Sequence, residues 1–140
     1  MSHFNHTTPI QIRMSDLDPF VHVNNGSQCH FYDIGRTHYV ENLNGKIDWG
    51  TLDLVLAHLE IDFKSPIRIH DEIVCDTKIY AIGNKSMKME QQLREVNTGE
   101  IKSVCRSVLS GFDRKTGQSM VIKEEYKTKI IAFEKNDSII

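Results

Sequence analysis

The segment Asn24–Gly45, NNGSQCHFYDIGRTHYVENLNG, contains the signals for the start, the body and the end of one long helix. Asn24 or Asn25 can cap the first turn, because an asparagine side-chain oxygen accepts a backbone N–H there. Residues with apolar bodies then recur at helical spacing, namely Cys29, Tyr32, Arg36, Tyr39/Val40 and Leu43. Asn44–Gly45 stops the pattern, since glycine commonly follows the last helical residue. The segment therefore predicts a single long helix.

Alternating apolar residues and turn signals predict strands on either side of this helix. The predicted strands are Thr8–Met14, Leu52–Phe63, Glu72–Ile82, Ser86–Val96 and Glu100–Asp113, and a second helical pattern covers Val121–Phe133. The apolar parity changes at Leu56–Ala57, which predicts a β-bulge. Asn97–Gly99 predicts a hairpin turn. The tail Glu134–Ile140 is expected to fray.

Strands that follow one another through short turns form an antiparallel sheet, and that sheet is the surface available to bury the helix. The prediction is an α+β fold over residues 1–140 as a single domain, with an antiparallel sheet wrapped around one long central helix, which is the hotdog fold. Gly26 and Gly35 lie within the helix at a cost of about 1 kcal/mol each relative to Ala. We expect the sheet to approach the helix closely there.

Composition excludes several functions. The chain of 140 residues has a formal charge of −2 and no basic tract, which argues against nucleic-acid binding. Its apolar runs reach only about four residues, too few to span a membrane. The N-terminus has neither a basic region nor an apolar region typical of a secretory signal. Three widely spaced cysteines indicate free thiols in a reducing, cytoplasmic location. An apolar fraction of 39% favours burial against a partner subunit.

The residues Arg13–Arg36, RMSDLDPFVHVNNGSQCHFYDIGR, resemble the signature of the 4-hydroxybenzoyl-CoA thioesterase branch of hotdog acyl-CoA thioesterases. The SDLD…HVNN part is also similar to plant acyl-ACP thioesterases. Over the rest of the chain the resemblance follows the order of the elements. It implies a thioesterase that hydrolyses acyl-CoA or acyl-carrier-protein thioesters without a cofactor or a metal. It also implies a homodimer or homotetramer whose active site lies between subunits.

The resemblance assigns roles within Ser15–Asn25. Asp18, the second acid of the D-x-D pair, becomes the catalytic carboxylate, acting on water as a general base or attacking the carbonyl directly. The backbone N–H near Asn25 polarises the thioester carbonyl. His22 is a candidate assistant. Phe20 stands where the plant enzymes have Asn, which favours the bacterial branch, and Asp16 remains the rival carboxylate.

A wider set of residues is predicted to bind the substrate: Asn24, Gly26, Phe20, Tyr32, Lys64 and Ser65. Core packing is the alternative for the two aromatic residues. Lys64, Arg68, Lys85 and Lys88 are candidate ligands of the CoA phosphates. No metal site is predicted, because same-face strand residues such as His58 and Glu60 rarely converge on an ion.

Two other functions remain open on the sequence. A hotdog hydratase or dehydratase would use His22 with Asp18 to move a proton and a hydroxyl group across the acyl chain. A non-catalytic acyl-CoA-binding protein would hold the same ligand without hydrolysis.

Overall fold

The computed structural model describes residues 3–136 and residue 139, and it has the predicted hotdog architecture. The strands are β1 (His6–Ile10), β2 (Leu54–Phe63), β3 (Ile73–Ile82), β4 (Ser86–Glu95), β5 (Ile101–Asp113) and β6 (Gln118–Ser119). They form an antiparallel sheet with the strand order β1-β3-β4-β5-β2, and β6 pairs with the end of β5. The helices are α1 (Asn25–Asn44) and α2 (Glu124–Glu134), and a 3-10 turn spans Met14–Asp16.

The signals at both ends of α1 are confirmed. Asn24 is the N-cap, and its side chain accepts a hydrogen bond from the Gly26 N–H at 2.6 Å. Gly45 follows the last turn with a φ of 77°, a conformation that favours glycine. The β-bulge is also confirmed, as the β2–β5 register shifts between Leu56 and His58. Local sequence therefore sets these boundaries.

The first strand is the main correction. The prediction of Thr8–Met14 is wrong at both ends, because β1 runs from His6 to Ile10. Ile10 pairs with Ile73, the first residue of β3, so the partner strand ends where β1 stops. Beyond it the chain turns into the 3-10 segment. The two-residue strand β6 has no counterpart among the predicted elements, because a strand of this length carries no period.

The expected close approach of α1 to the sheet is confirmed at Gly35 and is wrong at Gly26, where an added Cβ would meet only the Asn24 Oδ1 at 3.0 Å. A Cβ at Gly35 would lie 2.5 Å from the Cys75 Sγ and 2.8 Å from the Gln91 Nε2. Gln91 is itself buried and accepts a hydrogen bond from the Arg36 Nη1 at 3.0 Å. It donates to the Tyr32 carbonyl oxygen at 3.1 Å, so polar groups in the core are paired across the helix–sheet contact.

The end of α2 is held rather than frayed. The Glu134 carboxylate accepts hydrogen bonds from the Tyr39 hydroxyl and from the Ile79 N–H. Ile139 is buried with the same core cluster. The expectation of fraying is therefore wrong at Glu134, and at positions 137, 138 and 140 it falls outside the described residues.

His6 gives the fold a dependence on pH. Its ring packs edge-on against Tyr39 and Phe133, and its Nδ1 has no hydrogen-bond partner among the described residues. Burial, with a smaller contribution from the charge of His38, lowers the pKa of His6. Because the unfolded chain accepts the proton more readily, the free energy of unfolding falls as pH drops below about 6.5.

We expect the His6→Phe variant to lose this acid-side decrease, since the aromatic contacts remain and the titrating group is gone. The measurement is urea unfolding between pH 5 and pH 8. His38→Gln should weaken the decrease, because one cause of the lowered pKa is removed. An unchanged pH dependence in His6→Phe would contradict the assignment.

Candidate active site

The loop between β1 and α1 folds back on itself as a small hairpin. Leu17 and Val23 form a bridge, and the Asp18 N–H donates to the His22 carbonyl oxygen at 2.8 Å. At the tip, the Val21 N–H donates to the Asp18 carbonyl oxygen at 2.9 Å. The hairpin places Asp18 and His22 side by side, next to the start of α1.

The Asp18 carboxylate is anchored through one oxygen. Its Oδ1 accepts hydrogen bonds from the Phe20 N–H at 2.9 Å and from the His22 N–H at 3.2 Å. Its Oδ2 has no hydrogen-bond partner among the described residues. The carboxylate is therefore oriented by the loop, and one oxygen remains available to a substrate or a water molecule.

The first turn of α1 supplies the complementary donor. The Asn24 side chain accepts a hydrogen bond from the Gly26 N–H, and the Asn24 carbonyl oxygen accepts one from the Gln28 N–H at 3.2 Å. The Asn25 N–H has no partner within the described part of the chain, as expected for the first residues of a helix. This N–H and the positive end of the helix dipole favour a negative charge in front of them.

These groups line one cleft with a volume of about 260 Å³. One wall comes from the hairpin and the start of α1, and the other from the segment that follows β2. The lining residues are Asp18, His22, Val23, Asn25, Gln28, Phe63, Lys64, Ser65 and Pro66. Of the predicted site residues, the structure therefore brings together Asp18, His22, Asn25, Lys64 and Ser65.

Asp16 lies outside the cleft, buried and hydrogen-bonded to Arg13. Only 1% of its surface is exposed, and it accepts hydrogen bonds from the Arg13 backbone and side chain. Burial alone would raise the pKa of Asp16, but the hydrogen bonds from Arg13 and Ser27 outweigh it and lower the pKa. Its carbonyl oxygen also accepts the Asn24 N–H, so Asp16 ties the hairpin to the helix cap.

The remaining predicted substrate-binding residues lie elsewhere. Asn24 and Gly26 form the helix cap beside the cleft. Phe20 is 79% exposed at the hairpin tip. Tyr32 is fully buried, and its hydroxyl contacts the Ser103 Oγ at 2.6 Å, so the structure places it in the core rather than on an accessible wall.

The four cations predicted for the CoA phosphates separate into two groups. Lys64 lines the cleft, and the backbone of Arg68 forms an isolated β-bridge with His22 on the hairpin. Lys85 and Lys88 lie at the opposite end of the sheet, where the start of β4 pairs with the end of β5. The prediction is therefore wrong for Lys85 and Lys88 within one subunit, because strand direction separates them from the cleft.

Lys102 is a residue that sequence reasoning did not single out. Its ammonium group is buried and lies near Glu100 at 2.6 Å, Asp71 at 3.4 Å and the Pro66 carbonyl oxygen at 3.1 Å. Its backbone carbonyl accepts the N–H groups of Lys64 and Ser65. Lys102 thus holds the second wall of the cleft, and a lysine in an alternating strand gives no local sign of this role.

Val21 stores backbone strain at the hairpin tip. Its φ is 61°, a left-handed conformation that costs an L-residue about 1–2 kcal/mol. We expect Val21→Asn to raise the free energy of unfolding by about 1 kcal/mol, because asparagine tolerates this conformation and Val21 is mostly exposed. Val21→Thr is the matched control, since it is also β-branched and should give no gain. Equal stabilities of the two variants in urea unfolding would show that strain is absent.

An antiparallel sheet packed against one long helix is the hotdog fold, and here a carboxylate and the helix start line one cleft. Residues 12–130 match the family model of the thioesterase-like superfamily, and the chain belongs to this superfamily. The family match confirms the predicted class, a thioesterase with the hotdog fold.

Individual relatives agree with this placement. Long-chain acyl-CoA thioesterase FadM of Escherichia coli (strain K12) is 22% identical over 126 residues, covering 88% of this chain and 95% of that protein. A thioesterase from Thermus thermophilus, solved with coenzyme A and Zn, has a TM-score of 0.85 and 27% identity, covering 97% and 99% of the two chains. A Staphylococcus aureus protein in complex with CoA has a TM-score of 0.84 at 16% identity, covering 93% and 84%, which shows a common fold.

Two further observations concern the described residues only. None of their helices combines the length and apolar character needed to cross a membrane. No group of three or more His, Cys, Asp or Glu side chains among them is arranged to hold a metal ion.

Proposed function

We propose that the chain hydrolyses acyl-CoA in the cleft between the hairpin and the segment Phe63–Pro66, with Asp18 as the reacting carboxylate. The observation that carries this proposal is that Asp18 and Asn25 line the same cleft. The Asp18 carboxylate is hydrogen-bonded through Oδ1 alone, and the Asn25 N–H has no partner among the described residues. A thioester carbonyl between them has a base or nucleophile on one side and a donor on the other.

In the general-base route, Asp18 takes a proton from water as the water oxygen bonds to the carbonyl carbon. The carbonyl oxygen gains negative charge, and the Asn25 N–H stabilises that charge. A donor of this kind typically raises kcat by a factor of about 10²–10³. The C–S bond then breaks, and CoA leaves as the thiolate or thiol. In the nucleophilic route, an Asp18 oxygen forms the new C–O bond, and the C–S bond breaks to release CoA and leave a mixed anhydride. Water then hydrolyses the anhydride to the free acid and restores the Asp18 carboxylate.

Coenzyme A is the carrier that the cleft and the relatives favour. Lys64 places positive charge at the cleft, where a phosphate group of the carrier can be held. Phe63, which is exposed, offers apolar surface for the thioester end of the ligand. The E. coli relative is described as acting on acyl-CoA, and the Thermus structure contains coenzyme A.

A homodimer or homotetramer assembled through β2 completes this proposal. β2 is an edge strand of ten residues, and Val55, Leu56, Leu59 and Phe63 are each 37–44% exposed. Long apolar edge strands pair readily with another chain. Phe63 is the last residue of β2 and lines the cleft. Pairing of β2 with another copy of the chain therefore places that second subunit beside the proposed active site. Light scattering should give two or four times the chain mass of 16.1 kDa.

A cytoplasmic location fits the thiols. Cys29, Cys75 and Cys105 are all free, and burial raises the pKa of Cys75 to about 12 and that of Cys105 to about 11. Burial makes the Cys75 and Cys105 thiols unreactive, and none of the three cysteines forms a disulfide, which suits a reducing compartment.

The test is thiol release from a panel of aliphatic, aromatic and hydroxyacyl-CoAs, followed with a thiol-reactive dye. We expect turnover with at least one substrate class. A parallel assay of enoyl-CoA absorbance distinguishes hydration, which consumes the double bond without releasing thiol. Binding of the whole panel without thiol release would instead favour the acyl-CoA-binding alternative.

A further inference from the structure

Gln28 is a buried amide on the cleft wall, and the proposed mechanism does not use it. Only 2% of its surface is exposed, although it lines the cleft with Asp18 and Asn25. Its Oε1 accepts a hydrogen bond from the Ser103 hydroxyl at 2.8 Å. Its Nε2 has no partner among the described residues. A buried amide group of this kind normally finds a hydrogen-bond partner, so the open site points to a ligand.

The hydrogen-bond chain behind Gln28 fixes which end of the amide faces the cleft. Tyr32, Ser103 and Gln28 form a line, with 2.6 Å between the two hydroxyl oxygens. Tyr32 is fully buried, and Ser103 is the one acceptor within reach of its hydroxyl among the described residues. Burial raises the pKa of Tyr32, so the phenol keeps its proton and donates it to Ser103.

Ser103 has a single hydroxyl hydrogen, and accepting from Tyr32 leaves that hydrogen to be donated to Gln28. The reverse order would leave the Tyr32 hydroxyl hydrogen buried and unpaired, which is costly. The Gln28 oxygen is therefore the acceptor held by Ser103, and the –NH2 group is the end presented to the cleft. The orientation follows from the network as a whole.

We propose that the Gln28 Nε2 is a second hydrogen-bond donor to the thioester carbonyl, acting with the Asn25 N–H. Gln28 lies one helical turn after the capped start of α1, on the face that lines the cleft. Two convergent donors are the usual arrangement for stabilising an oxyanion, and each contributes most once charge develops on the oxygen. This inference rests on the proposed thioester hydrolysis and adds a residue to it.

The test compares Gln28→Met and Gln28→Glu with the wild-type protein. Met preserves length and removes the donor, and we expect kcat to fall about 10²–10³-fold. Glu keeps an oxygen that accepts from Ser103 and, when ionised, has no donor, so at pH 9 it should be as impaired as Met. Gln11→Met, at an exposed glutamine outside the cleft, is the matched control and should retain wild-type kcat.

The affinities of two non-hydrolysable ligands separate loss of the donor from a folding defect, because a folding defect weakens both ligands equally. Calorimetry measures binding of a 2-oxoalkyl-CoA, which retains the carbonyl, and of the corresponding alkyl-CoA thioether, which lacks it. Gln28→Met should weaken the first ligand and leave the second unchanged.

Full activity of Gln28→Glu, or equal losses for both ligands, would overturn the donor role and leave only a packing role. Those results would not affect the proposed function, which fails instead if the wild-type protein hydrolyses no acyl-CoA.

Discussion

Asp18→Asn is expected to lower kcat by about 10²–10⁴-fold while leaving thermal unfolding unchanged. The asparagine oxygen can still accept the N–H groups of Phe20 and His22, so the hairpin keeps its shape. The substitution removes the negative charge of the carboxylate and replaces the basic Oδ2 in the cleft with an amide nitrogen. Thiol release under saturating substrate measures the loss, and circular dichroism during heating measures stability.

Asp16→Asn is the matched control, because it makes the same chemical change two residues away. Asp16 is buried against Arg13 and outside the cleft. Hydrogen bonds to charged groups contribute about 1.5–3 kcal/mol, so this variant should lose stability in that range and keep most of its kcat at temperatures where it is folded. The opposite pattern, with activity lost at Asp16 and retained at Asp18, would exchange the two roles.

Isotope labelling distinguishes the general-base route of Asp18 from the nucleophilic route. In the nucleophilic route, water that attacks the Asp18 carbon of the anhydride places ¹⁸O from labelled water in the Asp18 carboxylate during a single turnover. In the general-base route, Asp18 forms no bond to the acyl group, and the label enters only the released acid. A label found by mass spectrometry in the peptide that contains Asp18 therefore identifies the nucleophilic route.

Gly35→Ala should reduce the free energy of unfolding by about 1–3 kcal/mol, even though alanine normally stabilises a helix by about 1 kcal/mol relative to glycine. The added Cβ would lie 2.5 Å from the Cys75 Sγ and 2.8 Å from the Gln91 Nε2. Both neighbours are fully buried, so neither can move aside without disturbing the core. Urea unfolding provides the measurement.

A double-mutant cycle identifies the clash as the cause. Cys75→Ala removes the nearest sulfur and should partly rescue Gly35→Ala, which gives a favourable coupling energy between the two changes. Rescue should be incomplete, because Gln91 remains close. Additive losses would show that the cost of Gly35→Ala does not come from contact with β3.

Much of the fold follows from local sequence. The Asn24 cap, the end of α1 at Gly45 and the bulge after Leu56 depend on a few neighbouring residues, and the structure has all of them. The first strand was predicted too far along the chain, since the length of its partner β3 sets its end. Strand ends depend on pairing across the sheet, which a single segment does not encode.

The site divides in the same way. The SDLDPFVHVNN stretch by itself determined that a carboxylate, a histidine and a helix start would be neighbours, because the hairpin that joins them spans few residues. Only the tertiary structure separated Asp16 from Asp18, since burial against Arg13 distinguishes them.

Tertiary structure also placed Tyr32 in the core and made the Gln28 amide face the cleft through Ser103 on β5. It likewise brought Lys102 under the opposite wall. These roles arise from contacts between residues far apart in the chain. Periodicity and local motifs carry no information on which distant side chain completes a hydrogen bond, and for that reason only the folded molecule decides them.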